Sequence, residues 1–124
     1  MSKIVHFEIP VDDSQRACAF YQESLGWEIS GFGGQPYWLV RAGADSEPGA
    51  NGALIARGDV HRSPVLIAGV DDIDGALSRV QRAGGQVVQP KLPIPGIGWS
   101  AYIRDSEGNT IGLFQATPDG ASSE

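Results

Sequence analysis

The sequence predicts an α+β fold built from two tandem βαβββ modules, residues 3–58 and 64–116 of a 124-residue chain. Three observations predict it. A strand-like alternation, a double aspartate, an amphipathic helical stretch and a glycine stop follow one another twice, at a spacing of about 55–60 residues that marks an internal repeat. Each copy then continues into three short apolar runs separated by turn residues. The 17 glycines and 8 prolines supply the many turns that a strand-rich chain needs.

Residues 4–11 alternate, with Val5, Phe7, Ile9 and Val11 on one face and Ile4, His6, Glu8 and Pro10 on the other, the period of a strand with one buried face. His6 and Glu8 therefore point the same way. Asp12, Asp13 and Ser14 carry helix N-cap chemistry, Ala17, Phe20, Tyr21 and Leu25 recur at helical spacing, and Gly26 ends the helix. Cys18 lies beside that stripe and reads as core filler, because a reactive thiol needs a nearby cation or a helix N-terminus. Strands follow at 27–30, 37–42 and 53–57, with loops at 31–35 and 43–51. The polar stretch 58–64 has no periodicity and reads as a connector, its His61 a solvated loop residue.

The second module opens on a strand at 65–70. Asp71 and Asp72 cap a helix whose Ile73, Ala76, Leu77 and Val80 fall at i, i+3, i+4 and i+7, closed by Gly84 and Gly85. A strand at 86–89 leads into the loop 91–98, rich in proline and glycine, which is expected as a connector or a gate at the rim. Residues 99–104 and 110–114 then form a β-hairpin around the turn 105–109, where Gly108 and Asn109 suit positive φ. Placing Ile103 opposite Ile111 puts Ala101 opposite Leu113 on an aliphatic face, and gathers Ser100, Tyr102, Arg104, Thr110, Gly112 and Phe114 on the other. The small polar tail, 117–124, is expected to be disordered.

A net charge of −6 argues against nucleic acid or an anionic membrane surface as partner, since both require a basic footprint. A single cysteine forms no internal disulfide, and no apolar run approaches the roughly 20 residues of a membrane span. No secretory signal opens the chain, so the expectation is a cytoplasmic protein. No phosphate-binding loop with its lysine and no nucleophile-elbow serine is present.

The duplicated pattern, the opening VHFEIPVDD followed by AFYQESLGWEI, and the closing GWSAYIRDSEGNTIGLFQ resemble the vicinal oxygen chelate superfamily, which includes glyoxalase I, extradiol dioxygenases and bleomycin-binding proteins. The resemblance covers about residues 3–116 and implies βαβββ modules whose mixed sheets curl into a cup, completed by a homodimer. It also implies, in metal-dependent members, ligands on the first and last strands of each module. His6 matches the first of these positions, but residues 48–58 hold no Asp, Glu, His or Cys, and Val65 and Gly112 stand at the other two. One histidine is too few for a catalytic divalent site, which needs about three protein ligands, so no divalent metal cofactor is expected.

The remaining chemistry lies on the helix-free faces. His6 and Glu8 are candidate catalytic residues, as a proton-transfer pair, or they merely satisfy each other's hydrogen bonds. Trp38, Trp99, Ser100, Tyr102 and Phe114, with His6 and Glu8, are candidate contacts to a small-molecule ligand, the aromatics for stacking and the serine for orientation. The expected function is metal-independent small-molecule binding of the bleomycin-resistance type. The alternative is a lyase, isomerase or dioxygenase acting on a small oxygenated substrate.

Overall fold

The structure, a computed structural model, describes residues 1–118; the expected disordered tail lies, from residue 119 on, outside them. Its elements run β1 (Ile4–Val11), α1 (Ser14–Leu25), β2 (Glu28–Phe32), β3 (Gln35–Arg41) and β4 (Gly52–Ala56), then β5 (Val65–Gly69), α2 (Ile73–Arg82), β6 (Gln86–Ile94), β7 (Gly98–Arg104) and β8 (Thr110–Ala116). This is βαβββ twice, the α+β class that the repeat predicts. The described residues form two compact units, Val5–Val65, and Met1–Ile4 together with residues 66–118.

In the Val5–Val65 unit the strand order is β2-β3-β4-β1, with β4 parallel to β1 and the other pairs antiparallel. The expected loop at 31–35 is a tight hairpin instead. Gly33 and Gly34 both take positive φ, +58° and +75°, the pattern of a two-residue turn whose twist matches its strands. Asp13 caps α1 by accepting the Arg16 N–H at 3.1 Å, and Gly26 ends it at φ +70°. Ala17, Cys18 and Tyr21 of α1 pack against a core of Val11, Val40 and Leu54, to which Phe7, Ile9, Trp27 and Trp38 add. Phe20 and Leu25 do not join that stripe. They are 60% and 57% exposed, because Phe20 lies about 100° around the helix from Tyr21 and Leu25 is its last residue.

Register fixes which side chains share a face. Ile9 pairs with Leu54 and Leu54 with Trp38, and all three lie in the core beneath α1. One step along, Pro10 pairs with Ile55 and Ile55 with Tyr37, so Tyr37 lies on the face of His6 and Glu8.

In the second unit the order is β5-β8-β7-β6, with β8 parallel to β5 and the rest antiparallel. Asp72 caps α2 through the Gly75 N–H at 3.1 Å, and Ile73 and Ala76 bury against Ala68, Ala101, Ile103 and Leu113, with Leu77 and Val80 at the margin. The β7/β8 register is the one the turn predicts: Ile103 faces Ile111, Ala101 faces Leu113, Tyr102 faces Gly112 and Ser100 faces Phe114. Asp105 closes that turn, its Oδ1 accepting the Glu107 and Asn109 N–H groups, each at 2.8 Å. The loop expected at 91–98 is mostly strand. β6 continues to Ile94, pairing Leu92 with Ser100 and Pro93 with Trp99, and only a three-residue turn, Pro95, Gly96 and Ile97, separates it from β7. β6 tolerates Pro90 and Pro93 because it is the outermost strand of this order, where a missing N–H breaks no second ladder, and its register shifts twice around them.

Candidate functional site

A buried carboxylate organises the helix-free face of the Val5–Val65 unit. β1 places His6 and Glu8 there, β3 adds Tyr37, and the connector after β4 adds His61. Glu8 is 4% exposed, so each of its oxygens needs a donor. Oε2 accepts the Tyr37 hydroxyl at 2.8 Å, and Oε1 meets Nε2 of His61 at 2.5 Å. With the Tyr37 proton directed at Glu8, the phenolic oxygen accepts from His6 Nε2, 2.8 Å away. That assigns the His6 tautomer: Nε2 carries hydrogen, and Nδ1 holds the lone pair of the neutral ring.

Among the described residues Nδ1 of His6 has no hydrogen-bond partner, whereas every fully buried side-chain polar atom has one, so Nδ1 is reached by solvent. Burial holds the His6 imidazole below its ordinary value, against the opposing pull of the Glu8 carboxylate. His6 also lines a depression of about 310 Å³ with Val5, Asn51 and the loop side chains Asp45, Glu47 and Pro48. Asn51 pins that loop by accepting the Ala42 N–H at 2.8 Å and the Gly43 N–H at 3.4 Å. Phe32 packs edge-on to Tyr37, with centroids 5.8 Å apart, and steadies the phenol.

His6 and Glu8 thus belong to one chain, but through Tyr37, which stands between them. His61 is not the solvated loop residue that its polar neighbours suggest. It is 7% exposed, drawn in by the Glu8 carboxylate, while Arg57 donates to the Arg62 carbonyl at 2.7 Å and holds the connector down. Trp38 and Trp99 lie on helix-bearing faces, Trp38 in the core under α1 and Trp99 against the core under α2 with the Lys91 ammonium 4.9 Å from its centroid. Ser100, Tyr102 and Phe114 share the helix-free face of the second unit, Tyr102 buried and the other two half-buried. Tyr37 and His61 are the site residues that sequence reasoning missed. The alternation of β1 marks one face of one strand, and nothing local to Tyr37 or His61 says that they reach it.

The donor set does not fit a divalent ion. β4 and Val65 offer no ligand, and Glu8 has both oxygens committed to Tyr37 and His61. A Cβ at Gly112 would overlap the Ile67 side chain and come within 3.1 Å of the Tyr102 ring, so side chains already fill the space a carboxylate there would need. Among the described residues no three of His, Cys, Asp and Glu gather as a metal site requires.

A family profile described as bleomycin resistance protein-like N-terminal matches residues 3–35. A candidate glyoxylase of Mycobacterium bovis, CFP32, is 31% identical over 114 residues, which are 90% of this chain and 43% of that protein. The chain therefore spans less than half the length of this relative. Among solved structures, a variant of Streptomyces coelicolor methylmalonyl-CoA epimerase in complex with 2-nitronate-propionyl-CoA matches with a TM-score of 0.69 at 15% identity, covering 96% of this chain and 97% of that one. A glyoxalase/bleomycin resistance protein/dioxygenase superfamily member from Vibrio splendidus 12B01 matches with a TM-score of 0.67 at 13% identity, over 94% and 100%. At these identities the structural likeness is one of fold.

Proposed function

We propose that the chain is a member of the vicinal oxygen chelate superfamily and that it binds a small organic molecule without a metal, on the face carrying His6, Tyr37, Glu8 and His61. The observation that supports this reading is the burial of Glu8 between Tyr37 and His61. Apolar residues of similar volume would stabilise a fold as well or better than a buried polar cluster built on a carboxylate. A polar set of this kind beside a depression is the usual dress of a recognition site. Ser100, Tyr102 and Phe114 offer a second surface, with an aromatic wall and one hydroxyl, on the other unit. Trp38 and Trp99 are left out, since they serve the packing of α1 and α2.

The metal content of the purified protein tests the reading. Zn, Ni, Fe and Mn well below one equivalent are expected, with binding of a panel of small oxygenated and aromatic compounds unchanged by EDTA. A stoichiometric metal that His6→Ala removes overturns it. A second reading, catalysis as a lyase, isomerase or dioxygenase, is favoured by one observation, the ordered run from Glu8 through Tyr37 to an open nitrogen of His6.

A further inference from the structure

We propose that His6 is a metal-free general base for activated carbon acids, molecules whose C–H is flanked by a nitro group or by two carbonyls, and that Tyr37, Glu8 and His61 position it. The inference rests on the reading above, that a small molecule binds at this face.

The geometry is that of a base with its supporting groups in line. Glu8 Oε2 takes the Tyr37 proton, the Tyr37 oxygen takes the His6 Nε2 hydrogen, and Nδ1 is left with its lone pair reached by solvent. A neutral ring so oriented is competent as a base near pH 7, because burial disfavours its protonated form in the resting site. Once a proton arrives at Nδ1, the imidazolium is stabilised by the Glu8 carboxylate acting through Tyr37. His61, at 2.5 Å from the second oxygen of Glu8, holds that carboxylate in place. Tyr37, Glu8 and His61 are positioning residues; only His6 meets the substrate.

The substrate class follows from what lines the depression beside His6. No lysine or arginine lines it, and the ionisable side chains beside His6 are the carboxylates of Asp45 and Glu47. Negative charge developing on a substrate would meet no cationic partner there. The substrate must therefore carry its own charge sink, which a nitro group or a pair of carbonyls provides and a simple ketone does not. The step balances within the substrate and His6. The C–H bond breaks, its electron pair enters the flanking groups as a nitronate or enolate, and the proton goes to Nδ1, from which the same carbon can take it back.

Hydrogen–deuterium exchange at the acidic carbon of nitroethane and pentane-2,4-dione, followed by NMR in D2O with EDTA-dialysed protein, tests the proposal. Exchange faster than in buffer is expected, with a pH–rate inflection below that of free imidazole. His6→Gln, which keeps an amide donor for Tyr37, should lower it by about 10²-fold or more. Tyr37→Phe, which keeps the ring, should move the inflection to lower pH, a change that a merely structural tyrosine would not cause. Exchange no faster than buffer, full activity in His6→Gln, or an unmoved inflection in Tyr37→Phe overturns it. Binding of the two probes is measured separately by saturation-transfer NMR. Binding without exchange defeats the base while leaving the binding reading intact, and a compound panel that never binds defeats the binding reading itself.

Discussion

Glu8 is the side chain whose surroundings matter most to the unit that holds it, since a carboxylate at 4% exposure is tolerable only while Tyr37 and His61 both reach it. His6 makes the pH dependence of that arrangement measurable. Its folded pKa is depressed, so the unfolded chain binds the proton more readily, and stability rises with pH through this window. The His6 contribution is present above about pH 6.5, the unfolded value, and is lost as pH falls through the folded one. The melting temperature should drop between pH 7.5 and 5.5, by less in His6→Gln than in the wild type, when followed by circular dichroism. Gly112 gives a second test at this scale. A methyl group there meets Ile67 and the Tyr102 ring, so Gly112→Ala should cost about 1–3 kcal/mol in urea unfolding, as overpacked cores do. Of the four residues in the polar chain, two were legible in the sequence. His6 and Glu8 sit in an alternating strand, a local signal, whereas the side taken by Tyr37 depends on how β3 pairs with β4 and β4 with β1. The inward turn of His61 depends on a carboxylate 53 residues away along the chain.

Elements were legible where their ends carry capping chemistry. In each double aspartate the second member, Asp13 or Asp72, supplies the cap, and replacing either by alanine should cost about 1 kcal/mol in chemical denaturation. The hairpin of β7 and β8 was legible down to its register because its turn is local: Asp105 ties both the Glu107 and Asn109 N–H groups, and Gly108 takes φ +84°. Those hydrogen bonds, from Asn109 foremost, also hold the Asp105 carboxyl below the usual carboxylate range. The stretch 91–98 was misread because two prolines and two glycines are turn residues by composition, while an outermost strand accepts proline at positions where a central one does not. The stripe of α1 was drawn too wide. A helix on a sheet buries a narrower face than four apolar residues at helical spacing suggest, and Phe20 falls outside it.

For the whole molecule, no helix among the described residues is long and apolar enough to cross a membrane. We propose that the chain pairs with a second copy of itself, a reading supported by exposed apolar side chains such as Leu66 at 49% and Val5 at 46%. Light scattering should then give twice 13.1 kDa at micromolar concentration, and a mass of 13.1 kDa would count against the pairing. The outer side of β6 bears on a different hazard, runaway assembly. Pro90 and Pro93 leave gaps in the row of N–H donors that an incoming strand would need, and the two register shifts bend that row out of line. An edge strand interrupted in this way is a poor template for fibril growth, so the stretch expected in the sequence as a connector or a gate is instead an edge that disfavours further strand pairing.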